Sequence, residues 1–272
     1  MVCFPNCKIN IGLFITARRA DGYHSLATVF YPLRPAAPAP LGRRFGAPFT
    51  DVLNDVLEVV PTTGEPQLHV SGLAIDGQRE SNLVWKAYTM LRNAYPKKVP
   101  PLDIYLHKAT PMGAGLGGGS ADGAWMLRLL NDYCQLGLTD ADMADYALQL
   151  GSDCPFFIYN QPAYATGRGE EMTPISLDLS GYDIKVICPG IHVSTRDAFA
   201  RITPRPAPFD LQGLATLPVT EWRHYVQNDF EPAVFAMHPQ LATIKQDMYD
   251  RGAVYASMTG TGSAVYGIFE RG

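Results

Sequence analysis

The sequence predicts an α+β protein built from two domains. Its 272 residues, 47% of them hydrophobic, are enough for one large or two medium domains with a buried core. In mid-chain, a strand-like alternation at 102–107 leads through a glycine loop into a helix, and near the end a helix precedes two strands. Because the composition changes beyond about residue 160, we place the domains at 1–158 and 159–272.

The glycine loop is the strongest functional signal in the chain. The segment Pro111-Met-Gly-Ala-Gly-Leu-Gly-Gly-Gly-Ser-Ala-Asp122 holds five glycines in seven positions and leads into a predicted helix at 121–130. Glycine lets the backbone approach a ligand closely, and a helix start adds unpaired N–H groups with a partial positive charge. The loop therefore predicts an anion site, with phosphate as the expected anion.

This loop has three other interpretations. Gly113, Gly115 and Gly118 match the dinucleotide pattern G-x-G-x-x-G, but a second helix, not a strand, follows this one. The P-loop needs a Gly-Lys pair, which the chain lacks. A tight turn that only packs the helix against a sheet stays open, although glycine costs about 0.5–1 kcal/mol per residue relative to alanine.

The first predicted strand, at 7–15, brings two polar side chains to one face. Lys8 and Asn10 are two residues apart, so they point the same way. A lysine in such a strand can be a solvent-exposed guard of a sheet edge. It can also supply a cation that points with the amide into a cleft, and the segment alone leaves both interpretations open.

Two planar side chains follow the next turn. Asp21-Gly22 marks a tight turn, and Tyr23-His24 come directly after it, before a predicted strand at 26–33. They can be an ordinary surface or a platform on which a base stacks. Residues 34–48, rich in Pro, Ala, Gly and Arg, are predicted to be a loop insertion without chemistry.

The remaining elements come from hydrophobic period and end signals. Ser81 is predicted to cap a helix, and Thr139 to open another with a capping box. Further strands are predicted at 55–60, 67–70, 182–188 and on both sides of a glycine turn at 260–263, and a strand with a turn at 163–170. Helices are predicted at 82–95, 139–150, 194–201 and 241–251.

Asp153 follows the predicted helix 139–150, in the segment Gly151-Ser-Asp-Cys-Pro-Phe-Phe157. The helix dipole disfavours a carboxylate at a helix C-terminus, so this is a poor place for an aspartate without a role. An aspartate in a polar turn is the alternative.

Charge and cysteine content exclude several classes of protein. With 22 basic and 26 acidic residues the net charge is −4, which argues against a general nucleic-acid surface. No apolar run is long enough to span a bilayer, and the start of the chain lacks a signal-peptide layout. Five scattered cysteines form no zinc set and indicate reduced thiols. We expect a cytoplasmic protein, monomeric or weakly dimeric, without nucleic-acid or membrane partners.

Taken together, three motifs resemble those of the GHMP kinase superfamily: Lys8-Ile-Asn10, the loop Pro111–Ser120, and Thr259-Gly-Thr-Gly-Ser263. Within it, Arg19-Ala-Asp-Gly-Tyr-His24, Gly151–Phe157 and Ala165–Glu170 are similar to kinases of non-mevalonate isoprenoid precursor biosynthesis. The match runs nearly end to end. Two departures are the long insertion after Leu33 and the early end of the chain after its last strand.

The resemblance implies a two-domain GHMP kinase fold, with an N-terminal domain like ribosomal protein S5 domain 2 and a ferredoxin-like C-terminal domain. It implies ATP and Mg²⁺ as cofactors, an active site between the domains, and phosphorylation of the 2-hydroxyl of a cytidyl diphosphate derivative of methylerythritol. Lys8 and Asp153 are implied as the catalytic pair, and Ser120 is a candidate metal ligand.

The same resemblance implies two sets of binding residues. The nucleotide set is Pro111, Met112, Gly113, Ala114, Gly115, Leu116, Gly117, Gly118, Gly119, Ser120, Ala121, Lys108 and Asn82. The substrate set is Asn10, Tyr23, His24, Phe199, Thr195, Gly260, Thr261 and Gly262. The alternatives are another GHMP kinase, acting on homoserine or mevalonate, and a nucleotide-binding module without catalysis. A base-stacking role for Tyr23 and His24 favours the cytidyl substrate.

Overall fold

The fold is described from a computed structural model, which covers residues 1–33, 53–75 and 77–271. The predicted insertion at 34–48 lies outside the described residues. Packing divides the chain into two compact units. The first comprises Met1–Cys7, Val52–Met112 and Gly117–Gln161, and the second Lys8–Asp51, Gly113–Leu116 and Pro162–Gly272. This division is discontinuous, whereas the predicted boundary after residue 158 divides the chain once; that boundary stays a prediction.

The first unit combines one sheet with four α-helices among the described residues. Its strands are β1 (Val2–Cys3), β4 (Val56–Pro61), β5 (Leu68–Gly72) and β6 (Leu102–Lys108). The strand order is β1-β4-β6-β5, antiparallel except for the parallel pair β5 and β6. The helices are α1 (Leu83–Ala94), α2 (Gly118–Tyr133), α3 (Asp140–Leu150) and α4 (Cys154–Tyr159).

Strand β6 shows why this sheet forms where the sequence predicts it. Leu102, Ile104 and Leu106 alternate with more exposed residues and are at most 1% exposed. One face of the strand therefore enters the core, as the period of two requires. Strand β6 ends at Lys108, ten residues before α2 begins, so the glycine loop joins the middle of the sheet to a helix N-terminus.

The second unit contains two antiparallel sheets. The first has the order β2-β3-β7-β8 and the second β10-β11-β9. The strands are β2 (Lys8–Arg18), β3 (His24–Pro32), β7 (Ala163–Thr166), β8 (Glu171–Pro174), β9 (Tyr182–Ile187), β10 (Tyr255–Met258) and β11 (Val265–Glu270). The α-helices described here are α5 (Thr195–Ala200), α6 (Trp222–Tyr225), α7 (Glu231–Met237) and α8 (Pro239–Asp250).

Strand β2 is buried over most of its length, and its pairing with β3 shifts register between Ile11 and Leu13. Gly12 lies at this bulge with φ +65°, and a Cβ there would come within 2.7 Å of the Leu211 side chain. Glycine therefore meets both the backbone and the space requirement at this position. Beyond it, Leu13 and Ile15 join the core of the unit.

Most predicted elements are confirmed, and the differences lie at element ends and in short elements that the pattern missed. Thr139 and Asp142 form the predicted capping box. The cap of α1 is Asn82, whose Oδ1 accepts from the Val84 N–H at 2.9 Å; the prediction of Ser81 was wrong, because Ser81 belongs to a preceding 3₁₀ turn. The pattern also missed the short helices α4, α6 and α7.

Asp153 is the N-cap of α4, with Pro155 in its first turn. The prediction placed Asp153 only at the end of α3. In the structure it also stands at a helix N-terminus, where the dipole favours a carboxylate, and its side chain makes no capping hydrogen bond. The α4 dipole therefore offsets the unfavourable effect of the α3 C-terminus that was expected at Asp153.

Candidate active site

The glycine loop leads into α2, whose N-terminus has no side-chain cap. Gly117 is the N-cap of α2 in a left-handed conformation with φ +72°, and it offers no side chain to the first N–H groups. Gly113 and Gly115 also have positive φ, +67° and +80°. Such a segment can curve around an anion and point main-chain N–H groups toward it.

Two of the glycines are also required by packing. A Cβ on Gly115 would lie 2.0 Å from the Thr259 carbonyl oxygen, and one on Gly118 would lie 2.8 Å from the Thr110 methyl group. Gly113, in contrast, has open space around its missing Cβ. Close packing thus explains part of the glycine density, and Gly113 is the position that leaves room for a ligand.

Lys108 lies beneath the start of α2 in the first unit. Its ammonium is buried and donates to Asp55 and to Asp122, the latter at 2.7 Å. Asp55 also accepts the N–H groups of Ala109 and Thr110 at 2.7 and 2.8 Å. Both carboxylates hold the Lys108 ammonium inside the unit. The assignment of Lys108 to the nucleotide site stays a prediction.

Burial dominates the electrostatics of this triad. It raises the pKa of Asp122 well above the ordinary range, and the negative charge of Asp55 adds to the shift although Lys108 opposes it. Burial alone would lower the pKa of Lys108, but Asp122 and Asp55 outweigh it and raise that pKa. Burial and the charge of Asp55 thus favour the protonated form of Asp122, while both carboxylates favour the charged form of Lys108.

A cleft of about 370 Å³ opens in the first unit beside α2. Asn82, Met112 and Gly119 line it, so three residues of the predicted nucleotide set meet there. Its volume is within the usual range for small-molecule sites. Its other lining residues are Leu68, Val70, Ile75, Gly77, Gln78, Arg79, Ser81, Leu83 and Asp122.

Ser120 and the Asp153 segment meet in the same unit. The Ser120 side chain lies near the thiol of Cys154, which is fully buried next to Asp153. Burial raises the pKa of Cys154 to about 12, with small opposing effects of Ser120 and Asp153. This thiol is therefore unreactive at neutral pH and acts as a packing group between α2 and α4.

In the second unit, Lys8 is buried among polar groups. Its ammonium donates to Asn10 Oδ1 at 2.5 Å and to the Gly115 carbonyl at 3.1 Å, and it lies 4.9 Å from the Phe30 ring centroid. Although β2 ends its sheet, Lys8 is only 4% exposed, whereas a lysine that guards an edge would lie in solvent. The structure thus favours the functional interpretation of Lys8.

Thr259 ties the third motif to the same cluster. Its hydroxyl accepts from the Asn10 N–H and donates to the Gly115 carbonyl, both at 3.0 Å. The Lys8 N–H donates to the Leu116 carbonyl at 3.0 Å. Residues of all three predicted motifs therefore meet within the second unit.

Two of the predicted substrate aromatics stack on each other. The rings of His24 and Phe199 have centroids 5.1 Å apart and planes 28° apart. Tyr23 is 57% exposed, and the Arg168 guanidinium lies 5.1 Å from its ring centroid. Thr195 and Thr261 approach each other with their hydroxyl oxygens 3.4 Å apart. The assignment of Tyr23 and Phe199 to a base of the substrate stays a prediction.

Within residues 1–33, 53–75 and 77–271, no helix has the length and apolarity needed to cross a bilayer. The same residues contain no group of three or more His, Cys, Asp or Glu that could hold a metal ion.

Family models and relatives agree on the affiliation of the chain. The GHMP kinases N terminal domain matches residues 82–161, and the GHMP kinases C terminal domain matches 215–272. A 4-diphosphocytidyl-2-C-methyl-D-erythritol kinase from Bacteroides fragilis is 46% identical over 272 residues, covering 99% of this chain and 92% of the relative. One of the same name from Parabacteroides distasonis is 42% identical and covers 100% and 92%.

The chain belongs to the 4-diphosphocytidyl-2-C-methyl-D-erythritol kinase family of GHMP kinases. A crystal structure of 4-(cytidine 5'-diphospho)-2C-methyl-D-erythritol kinase has a TM-score of 0.74 at 29% identity, covering 98% of this chain and 90% of its own. A homoserine kinase from Cytophaga hutchinsonii has a TM-score of 0.67 at 16% identity, covering 98% and 85%, which shows the shared fold alone. The expected GHMP kinase fold is confirmed.

The sequence analysis did not predict a role for three buried polar residues of this kinase family member. Asp55, Asp122 and Asn228 are buried polar groups that hold the glycine loop region or the turn after β10. Asp122 lies within the glycine motif and could have been noticed there. Asp55 and Asn228 gave no signal, because their partners are distant in sequence.

Proposed function

We propose that this chain is an ATP-dependent kinase that phosphorylates the 2-hydroxyl of 4-diphosphocytidyl-2-C-methyl-D-erythritol. The observation that carries the proposal is the buried ammonium of Lys8, held by Asn10 and by a carbonyl of the glycine loop. A buried cation fixed against the loop that is expected to hold phosphate is suited to stabilise charge during phosphoryl transfer. The names of the relatives supply the substrate.

We assign the chemistry to Lys8 and Asp153. A substrate alcohol is a weak nucleophile, and the Asp153 carboxylate would accept its proton as the alcohol attacks the γ-phosphorus. Lys8 would stabilise the negative charge that develops on the transferring group, since its ammonium is preorganised by Asn10 and Gly115. The proton thus moves from the hydroxyl to Asp153, and the bond to the β-phosphate oxygen breaks.

The nucleotide is assigned to the glycine loop and the cleft beside α2. The uncapped helix start and Gly113 suit the phosphates, and the cleft that Asn82 and Met112 line suits the base. Mg²⁺, when bound, neutralises charge on the phosphate oxygens. Ser120 would supply an oxygen ligand, in keeping with the few protein ligands that Mg²⁺ usually takes in phosphate sites.

The cytidyl part of the substrate is assigned to the second unit. The rings of Tyr23, His24 and Phe199 offer stacking surfaces for a base. Asn10, Thr195 and the Gly260–Gly262 turn are assigned to polar parts of the substrate. Homoserine and mevalonate have no base, so a stacking role would leave these rings without a partner in the alternative kinases.

We further propose a cytoplasmic monomer or weak homodimer without nucleic-acid or membrane partners. The acidic net charge of −4 supports the lack of a general nucleic-acid surface. Sedimentation at several protein concentrations tests the oligomeric state, and a stable larger assembly would contradict it.

The decisive experiment is a phosphoryl-transfer assay with ATP labelled in its γ-phosphate. The acceptors are 4-diphosphocytidyl-2-C-methyl-D-erythritol, homoserine and mevalonate, each at the same concentration. We expect label transfer to the cytidyl substrate at least a hundredfold above the other two. Preferred transfer to homoserine or mevalonate would establish the other kinase, and ATP binding without transfer would indicate a module without catalysis.

A further inference from the structure

The buried amide of Asn228 clamps the turn that follows β10. Asn228 is 2% exposed and lies beside Leu13 of β2, just before α7. Its Nδ2 donates to the carbonyls of Met258 and Gly260 at 2.7 and 2.8 Å, and its Oδ1 accepts from the Phe230 N–H at 2.9 Å. Both amide hydrogens and the amide oxygen are therefore committed to backbone groups.

This clamp determines which way the turn presents its N–H groups. In a trans peptide the C=O and the following N–H point in opposite directions. The Gly260 carbonyl faces Asn228 inside the unit, so the Thr261 N–H faces away from it. Within the described part of the chain, the Thr261 N–H has no hydrogen-bond partner, and the residue is partly exposed.

The two clamped carbonyls flank Thr259, which belongs to the hydrogen-bonded cluster of Lys8, Asn10 and Gly115. Thr259 accepts from the Asn10 N–H and donates to the Gly115 carbonyl, and Lys8 donates to the same carbonyl and to Asn10 Oδ1. A rotation of the turn would therefore move the Thr261 N–H and also the Thr259 hydroxyl, which accepts from the Asn10 N–H. One buried amide thus controls two parts of the proposed site.

We propose that Asn228 is a positioning residue that fixes this turn so that the Thr261 N–H faces the anionic diphosphate of the substrate. The inference rests on the proposed function, because it takes the turn to be substrate-binding. Asn228 itself touches no reacting atom. It acts through the direction of the peptide between Gly260 and Thr261 and through the position of Thr259.

The test is Asn228→Asp, which keeps the shape but removes both donors. A carboxylate would oppose the two carbonyl oxygens, and the turn should rotate away from it. We expect the KM for the cytidyl substrate to rise at least tenfold, while the KM for ATP changes less than twofold. Lowering the pH should partly restore the substrate KM, since the introduced carboxyl group regains one donor when it is protonated.

The matched control is Asn131→Asp, in the other unit. Asn131 also clamps a backbone segment, with its amide donating to the Leu138 carbonyl at 3.1 Å and accepting from the Leu138 N–H at 2.9 Å. This variant should lower the melting temperature but leave both KM values within twofold of wild type. If Asn228→Asp behaves the same way, its role is structural only and the proposal fails.

A second readout separates this proposal from the proposed function. The Thr259 N–H donates to the Ala264 carbonyl, and the Gly262 N–H donates to the Thr259 carbonyl. Hydrogen exchange at these two N–H groups therefore reports on the stability of the turn. Asn228→Asp should accelerate this exchange at least tenfold, and Asn131→Asp should not. A wild-type chain that transfers no phosphate to the cytidyl substrate would refute the function, whereas unchanged exchange in Asn228→Asp would refute the clamp.

Discussion

At the scale of single residues, Lys8 illustrates how a charged side chain is kept inside a protein. Removing an ammonium from water is costly unless hydrogen bonds replace its hydration. Asn10 Oδ1 and the Gly115 carbonyl supply two such bonds, and the face of Phe30 adds a favourable contact. The cation is thus held in one place before any substrate arrives, which is the condition for electrostatic catalysis.

The first prediction concerns the proposed catalytic pair. Lys8→Met and Asp153→Asn should each lower kcat by about 10²–10⁴-fold, because one removes stabilisation of charge and the other the general base. The matched controls are Lys86→Met on α1 and Asp145→Asn on α3, both at exposed positions. Circular dichroism must show folded variants. A Lys8→Met or Asp153→Asn enzyme with wild-type kcat would remove that residue from the mechanism.

The second prediction concerns the two carboxylates around Lys108. Asp55→Asn should lower the free energy of unfolding at pH 7 by about 3–5 kcal/mol, because it removes the charged partner of a buried ammonium. Asp122→Asn should cost only about 1 kcal/mol, since an amide resembles the protonated carboxyl that burial favours there. Chemical unfolding measures both free energies; equal losses would contradict the raised pKa of Asp122.

The pH dependence follows from the direction of the Asp122 shift. Its pKa is raised in the folded state, so the unfolded chain releases this proton first as the pH increases. The stabilisation from this proton is complete below the ordinary aspartate pKa and is lost as the pH rises through the raised value. Wild type should therefore lose stability relative to Asp122→Asn as the pH increases above about 4, and parallel curves would refute the shift.

At the scale of elements, short-range signals decide where helices begin. The Thr139 hydroxyl accepts from the Asp142 N–H at 3.2 Å, and Asp142 accepts from the Thr139 N–H at 2.9 Å. These two bonds satisfy groups that the first turn of α3 would leave unpaired. The pKa of Asp142 is lowered mainly by its hydrogen bond with the Thr139 hydroxyl and further by the bond from the Thr139 N–H.

The third prediction is that Thr139→Ala lowers the free energy of unfolding by about 0.5–2 kcal/mol, the usual effect of losing an N-cap. Thr243→Ala, at an exposed interior position of α8, is the control and should be neutral or slightly stabilising, since alanine favours helix. Urea unfolding distinguishes the two. Equal effects of both substitutions would mean that the cap contributes nothing measurable.

At the scale of the whole molecule, chain order and packing order differ. Strand β2 follows β1 directly, yet it belongs to the second unit because it pairs with β3, which pairs with β7 from beyond residue 160. The glycine segment Gly113–Leu116 also packs with the second unit, through Gly115 and Thr259. Both units are therefore built from distant parts of the sequence, and each depends on long-range pairing.

The fourth prediction concerns the folded chain as a whole. ATP at 100 times its dissociation constant should stabilise the unit that binds it by about 2.7 kcal/mol, seen as a higher melting temperature. Adenosine at the same concentration should give a smaller shift, because it cannot use the N–H groups of the glycine loop. Equal shifts with both ligands would show that the loop does not hold the phosphates.

Features that depend on neighbours along the chain could be predicted from the amino-acid sequence. Strand β6, the helix after the glycine loop, the capping box at Thr139 and the common face of Lys8 and Asn10 follow from periods and end signals of a few residues. The three motifs were recognisable for the same reason. These local patterns also indicated the family and its fold, and the relatives and family models confirm both.

Contacts between groups that are distant along the chain could be known only from the folded protein. Asp55 and Lys108 are 53 residues apart, and Asn228 and Gly260 are 32 apart, so no local pattern could pair them. The stacking of His24 on Phe199 and the raised pKa of Asp122 arise from packing as well. Burial turns these polar groups into obligatory partners, because a buried group without a hydrogen bond is costly, and only the folded chain shows which groups are buried.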